Sequence, residues 1–361
     1  MSNSFGELFR ISLFGDSHGK AIGGIIDGCF PGMQIDLAAI QKELTKRSAH
    51  DFFSTSRKEP DTFEILSGIR NGKTTGGPIG FIIPNKDVKS SHYDELDKLF
   101  RPSHADFTYY AKYGSEESAG KLHASGRFFA SVIVAGGVAR QMLSKANITI
   151  KAYVNQIGTV KVGKTYQELD LSLTDQSHVK CPDAEASEKM LRLLKQLKSK
   201  GDTTGGVVCC IVNACPPGIG DPVFGKLQSK LAQAMLSIPA VKGFEYGSGF
   251  GAASMTGSQH NDIFVIRKNK LRTLTNNSGG IQGGISNGED IFFHVAFKPV
   301  SSIAKEQPGI DRNANNVTFT GKGRHDICLV PRAVSLVEAL ASITIADSFL
   351  KYRAYVEKNQ L

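Results

Sequence analysis

Three short segments each set a histidine among small or turn-forming residues. They are Gly15-Asp16-Ser17-His18-Gly19, Arg101-Pro102-Ser103-His104-Ala105-Asp106 and Gly323-Arg324-His325-Asp326. An imidazole exchanges protons near neutral pH, and a loop built of small residues lets the ring face a ligand. Two of the segments add an arginine, whose planar fork grips carboxylate or phosphate. Any one of the nine histidines, taken singly, reads as an ordinary structural residue. Other stretches suit anions. Ser125-Gly126-Arg127 opens an apolar helical pattern, and a helix start with a hydroxyl and a guanidinium attracts negative charge. Lys298-Pro299-Val300-Ser301-Ser302 offers an ammonium and two hydroxyls. Ser278 to Gly288 (SGGIQGGISNG) is rich in glycines that let backbone approach a ligand and expose N–H groups. It is neither a Walker A loop nor a dinucleotide fingerprint. Together these types describe proton transfer beside bound phosphates or carboxylates.

Such side chains need a frame. Glu7 to Phe14 and Ala21 to Asp27 alternate like two strands joined by the His18 turn. Asp36 caps a helix running to about Arg47. Thr62 to Ile69 and Pro78 to Ile83 form another strand pair around a Gly-rich turn. Helical spacing runs from Arg127 to Ser144, from Asp183 to Lys198, from Phe224 to Leu236 and from Val334 to Leu350. Ile148 to Gly158, Gly205 to Ala214 and Asp290 to Phe297 read as strands. No linker marks a boundary, so one α+β domain over residues 1–361 is expected.

Composition bounds the partners. Lysine plus arginine is 43 against 34 acidic residues in a chain of 361, a charge of +9. The basic residues are dispersed, unlike the blocks or stripes of nucleic-acid proteins, so a small-anion pocket is the better reading. The six cysteines form no metal or disulfide pattern, and Cys209-Cys210 sits in an apolar run that implies buried thiols. No metal, nucleic acid or membrane partner is expected. The apolar stretches read as far short of a membrane span, and the N-terminus lacks a signal pattern. A cytoplasmic protein is the expectation.

The set of motifs resembles chorismate synthase over nearly the whole chain. Asn3 to Gly19, Arg57 to Gly77, Phe100 to Gly114, Gly279 to Gly288, Lys298 to Ser302 and Gly321 to Val334 all look like that family, in family order. The resemblance implies a sandwich of helices between antiparallel sheets and a homotetramer. It also implies a carbon–oxygen lyase of the shikimate pathway to aromatic amino acids. That lyase converts 5-enolpyruvylshikimate 3-phosphate to chorismate and phosphate by trans-1,4-elimination with reduced FMN. Some relatives reduce the flavin with NADPH, and others use an external flavin reductase. The missing dinucleotide motif favours the outside source here.

Carried onto this chain, the resemblance makes His18 an acid near flavin and substrate, with Ser17 beside it. His104 becomes the acid near the departing phosphate, and Asp326 serves proton removal. Arg47, Arg101 and Arg127 become substrate clamps. The FMN cradle would comprise His123, Ala124, Ser125, Arg127, Ala240, Gly283, Lys298, Pro299, Val300, Ser301, Ser302 and Arg324. Departures occur where the family commonly has Glu for Asp16, Arg for His123 and Glu for Phe128. An arginine expected near Phe52-Phe53 is absent, with Lys46, Arg57 and Lys58 as substitutes. Two alternatives remain: an impaired flavin- or phosphate-binding relative, and a basic RNA-binding protein.

Overall fold

A computed structural model describes residues 3–48, 51–54, 61–86, 99–114, 125–321 and 326–358. Strands β1 (Ser4–Phe5), β2 (Arg10–Gly15) and β3 (Ala21–Asp27) precede helix α1 (Leu37–Ser48). Then come β4 (Glu64–Ile65), the hairpin of β5 (Ile69–Arg70) and β6 (Lys73–Thr74), and β7 (Ile79–Pro84). The antiparallel order β1-β2-β3-β7-β4 makes the first five-stranded sheet. Glu7 to Phe9 leave the expected strand. Their three N–H groups turn to Asp347 Oδ1 at 3.0, 2.7 and 3.1 Å and so cannot join a ladder.

After β8 (Leu99–Phe100) and α2 (Asp106–Tyr113) comes α3 (Ala130–Ser144), followed by β9 (Thr149–Ile157), β10 (Val160–Lys161), α4 (Ala184–Ser199) and β11 (Gly206–Asn213). α5 (Leu227–Leu236), β12 (Val241–Tyr246) and the single turn α6 (Gly257–His260) follow. Next are the hairpins β13 (Phe264–Arg267) with β14 (Lys270–Thr273) and β15 (Ile281–Gln282) with β16 (Ile285–Ser286). β17 (Ile291–Phe297), β18 (Glu306–Asp311), β19 (Asn316–Thr320) and α7 (Val330–Lys358) close the chain. The second five-stranded sheet runs β10-β9-β11-β17-β12, and a smaller one runs β19-β18-β8.

The helices fill the space between the two large sheets. α3 touches β2 and β3 on one side and β9 on the other, and α7 touches β9 and β11. One apolar cluster joins both sheets through these helices, from Phe9, Ile22 and Phe81 to Val154, Cys210 and Phe293. α3 and α7 lie so close that a Cβ on Gly136 would collide with Ala339. α7 corrects the reading of the apolar stretches. Val330–Val356 is long and apolar enough to cross a membrane, but 83% of its apolar window is buried between the sheets. All six cysteines are free and buried, and burial pushes the Cys209, Cys215 and Cys328 thiols up to about 12.

Capping explains two helix starts. Asp36 Oδ1 accepts from Ala39 N at 2.9 Å, and Asp183 Oδ1 accepts from Ala186 N at 2.8 Å. The Arg127 helix starts later than expected, at Ala130. The chain first passes through tight turns with Phe128 N donating to Ser125 O and Ala130 N to Arg127 O. The Phe224 helix likewise begins at Leu227. Val223 to Gly225 form a short 3-10 turn, with Val223 at φ 59° and Lys226 at ψ 133° breaking the path.

Candidate active site

Six segments of the chain meet in one polar network. The C-terminal turn of α1 brings Arg47, whose side chain is 9% exposed. The turns before α3 bring Arg127, 5% exposed. Between them sits the Asp61 carboxylate, 1% exposed, accepting from Arg47 Nη1 at 3.2 Å and from Arg127 Nη1. Arg47 Nη2 also donates to Gly126 O at 2.7 Å. Burial draws the Arg47 guanidinium down to about 10, helped by the like charge of Arg332 and opposed by Asp61.

The end of β7 supplies the next link. Arg127 Nη2 donates to Pro84 O at 3.2 Å and Nε to Asn85 Oδ1 at 2.5 Å. Asn85 Nδ2 then donates to Asp16 O and Gly19 O at 3.0 and 2.8 Å, the two ends of the turn that carries Ser17 and His18. Ser17 is fully buried, with Oγ 3.0 Å from His18 Nδ1. On the other flank, Arg332 Nε donates to Arg47 O at 3.2 Å. Arg332 Nη1 grips both oxygens of Asp326 at 3.1 and 3.0 Å. Asp326, Arg47, Arg127, Ser17 and His18 thus belong to one assembly. Asp61, Asn85 and Arg332 complete it, and sequence reasoning did not single them out.

A second cluster forms on the loop before α2. Arg101 Nε and Nη2 hold the Asp106 carboxylate at 2.7 and 2.9 Å, with both side chains buried. His104 Nδ1 lies 2.8 Å from Asp106 Oδ1 and 3.0 Å from Arg101 Nη2. A guanidinium only donates and a carboxylate only accepts, so the ring satisfies Asp106 best with its proton on Nδ1. Nε2 is then the nitrogen available to a ligand, on a side chain that is one-quarter exposed. Burial works to raise the Asp106 carboxyl. The hydrogen bonds and charges of His104 and Arg101 prevail and hold it well below the usual carboxylate range. Arg101 therefore spends its fork on Asp106 and orients His104.

Lys298 joins this cluster to the 240 and 298–302 loops. Its Nζ donates to Ser103 O, and its N–H donates to Ala240 O at 2.9 Å. Burial, with Lys242 nearby, lowers the Lys298 ammonium from its ordinary value. Ser302 is buried, Ser301 and Val300 half-buried and Pro299 exposed. Thr203 Oγ1 donates to Val300 O at 2.7 Å, and Thr204 N donates to Ile327 O at 3.0 Å, next to Asp326. A bonded path therefore runs from His104 to Asp326. Asp61, Ser103 and Ala240 all hold left-handed backbone, at φ 43°, 55° and 71°. Such conformations cost non-glycine residues about 1–2 kcal/mol and gather at functional loops.

Ser125 Oγ accepts from Arg127 N at 3.3 Å, a local contact. Gly283 sits exposed in the β15–β16 turn, whose flanking bonds run to Ile219 and Leu227. His123, Ala124, Arg324, Arg57 and Lys58 lie outside the described residues. Lys46 is committed to Glu43 and Asp175 at 2.9 and 2.7 Å. In place of the expected arginine, Phe52 packs under the Lys195 and Lys198 ammonium groups at 5.9 and 5.8 Å. Among the described residues no group of three or more His, Cys, Asp or Glu could hold a metal ion. A cleft of about 310 Å³ lined by Gly218, Asp221, Ser348, Lys351, Tyr352 and Tyr355 lies elsewhere. Ser348 is sixteen residues beyond Arg332 along α7, or about 24 Å at 1.5 Å per residue.

Fold and site together define an α+β protein in which two histidines stand in separate polar clusters with buried arginines, a setting that suits small anions. The family model of chorismate synthase matches residues 9–350. A chorismate synthase from Phocaeicola vulgatus is 49% identical over 351 residues, covering 97% of this chain and 98% of its own. One from Parabacteroides distasonis is 49% identical over 349 residues, covering 96% and 98%. A crystal structure of a chorismate synthase superposes with a TM-score of 0.77 at 28% identity, covering 96% of this chain and 92% of that one. The chain belongs to the chorismate synthase family. It is an enzyme of the lyase class that acts on a small molecule, and neither the impaired-relative nor the RNA-binding alternative is favoured.

Proposed function

We propose that one site on a single domain converts 5-enolpyruvylshikimate 3-phosphate to chorismate and phosphate by trans-1,4-elimination, beside bound reduced FMN. Carrying this reading is the network in which Arg332, Arg47, Asp61, Arg127 and Asn85 tie Asp326 to the Ser17–His18 turn. Arg47 and Arg127 gather the anionic groups of the substrate, and their buried guanidiniums keep that field unscreened by water. Arg101 serves the same pocket by fixing His104 through Asp106.

With Nδ1–H held by Asp106, His104 acts as the acid in the form that carries a proton on each nitrogen, and delivers the one on Nε2 to the departing phosphate. His18, with Ser17 on its Nδ1, holds a proton on the flavin side of the substrate. The Asp326 carboxylate, gripped by Arg332, serves removal of the ring proton. Lys298, Ala240 and the Ser301–Ser302 hydroxyls suit an anionic cofactor. They bring an ammonium, a left-handed backbone corner and two donors to one loop cluster. Pro299 and Val300 lie on the same loop, and the family resemblance alone adds Ser125, Arg127, Gly283, His123, Ala124 and Arg324 as cofactor-binding residues. Reduced flavin held there would supply electron density to the elimination, with no net redox change.

The reading extends to a cytoplasmic homotetramer supplied with reduced flavin by an outside reductase. Ile263, Phe264, Ile266, Leu271 and Leu274 stand exposed on and beside the β13–β14 hairpin. A two-stranded ribbon is marginal without cover, and such apolar surface suits contact between copies. Mixing the protein anaerobically with reduced FMN and 5-enolpyruvylshikimate 3-phosphate should release phosphate and chorismate in equal amounts. His104→Ala should slow this by about 100-fold or more and still bind FMN. Binding of both ligands without phosphate release would sink the proposal.

A further inference from the structure

We infer that Asn85 is a positioning residue that sets the Ser17–His18 turn against the Arg127 guanidinium. The inference rests on the roles given above to His18 and Arg127. A primary amide carries one acceptor oxygen and an NH2 with two donors. Asn85 uses all of them. Its oxygen takes Arg127 Nε, and its NH2 is divided between Asp16 O and Gly19 O.

The amide orientation follows from its partners. Two carbonyls can only accept and a guanidinium Nε can only donate. A flipped amide would face like with like at three contacts, so the observed assignment is the one that satisfies the group.

The three contacts span one functional unit. Gly19 N donates to Asp16 O at 3.1 Å, closing the turn, and Asn85 clamps the carbonyl at each of its ends. Its own N–H donates to Lys20 O at 3.1 Å, so backbone and side chain grip the same loop. The neighbouring Pro84 O holds a second nitrogen of Arg127 at 3.2 Å, and Asp61 holds the third. The Arg127 fork is thus fixed from two sides, and Asn85 alone of these partners also holds the histidine turn.

Only glutamine carries the same amide, and it sets the group one methylene further out. Aspartate keeps the acceptor for Arg127 but turns an oxygen toward two carbonyl oxygens. Alanine removes both arms. Serine is too short to reach three partners. A position near the end of a β-strand suits the task, because rigid elements hold polar groups more closely than loops do. A supporting group of this kind acts on rate through geometry, where a displacement of about 1 Å costs on the order of 100-fold.

The two arms separate experimentally. Asn85→Asp should lower kcat by about 10- to 100-fold and hold KM for 5-enolpyruvylshikimate 3-phosphate within about 3-fold, because only the turn is released. Asn85→Ala should lower kcat similarly and raise KM, because Arg127 loses a partner as well. In a His18→Ala background, Asn85→Asp should lower kcat no further, since both changes act on one group. Thermal melts of each variant should stay close to the parent. If Asn85→Ala fails to fold, the isosteric Asn85→Asp carries the test. A kcat within about 2-fold of the parent for Asn85→Asp, or losses that multiply with those of His18→Ala, would overturn the inference. A fully active His18→Ala would instead remove His18 from the mechanism, leaving the rise in KM of Asn85→Ala to report the Arg127 arm.

Discussion

Replacing Asp61 by alanine strips the counter-charge from two buried guanidiniums at once. Asp61 is 1% exposed, and the side chains of Arg47 and Arg127 are 9% and 5% exposed. At the 3.2 Å separation from Arg47, one such pair is worth about 5 kcal/mol of Coulomb energy at an effective dielectric of about 20. Desolvation offsets part of this in the intact protein, but the variant keeps that cost and loses the attraction. Breaking a buried pair from one side costs about 3–5 kcal/mol, and with two arginines stranded the upper end is expected. The like charge of Arg332 on Arg47 then acts with less opposition. The chain has no tryptophan, so urea unfolding is best followed by far-UV circular dichroism. The loss should persist in high salt, because ions screen surface pairs far more than buried ones. A fall of less than about 1 kcal/mol, or one erased by salt, would refute the claim that Asp61 is the hub of the arginine pair.

Three further perturbations test neighbouring parts. The Asp106 carboxyl is held low in the folded state despite its burial. Its stabilisation is therefore complete above its unfolded value of about 3.9 and is lost as pH falls through the lower folded value. The stability gap between the parent and Asp106→Asn should be widest near neutrality and narrow below about pH 4, and a gap that stays constant into acid would refute this. Arg127→Ala should weaken substrate or FMN binding by about 10-fold or more, read by calorimetry; if both affinities survive, Arg127 only shapes the start of α3. Asp347→Ala should remove the acceptor of three backbone N–H groups, cost about 1–3 kcal/mol through the buried Phe9 N–H, and speed hydrogen exchange at Glu7 to Phe9. Unchanged exchange there would show that another group holds the segment.

Periodicity and caps make most elements legible. The alternation of Asp290 to Phe297 and the caps Asp36 and Asp183 each locate an element to within a residue or two. Errors arise where a distant partner decides. Glu7 to Phe9 alternate like a strand, yet a carboxylate 338 to 340 positions away takes their N–H groups. Helix α7 exceeds its apparent Val334–Leu350 core at both ends, because Pro331 is tolerated in a first turn and the exposed last turns lose the apolar stripe. Within the site, His18, His104 and Arg127 carry visible turn and helix-start chemistry. Asp61 and Asn85 carry none: nothing local foretells that Asp61 bridges residues 14 and 66 positions away, or that Asn85 reaches back to Asp16. Arg332 falls inside the Gly321 to Val334 motif, but its grip on Asp326 follows only from the first turn of α7.

The bond between Asp347 and the Glu7–Phe9 backbone sets an order of events during synthesis. At about 5–20 residues per second, some 340 residues take roughly 20–70 s to follow Glu7 out of the ribosome. Until then the N-terminal corner lacks its acceptor, and the sheets lack the apolar rod that lies between them. The nascent chain must wait, with apolar strand faces open to chaperones, for its last long helix before its first turn can close. Native structure should therefore come late and together, and truncation within α7 should destabilise the opposite end of the polypeptide as much as its own.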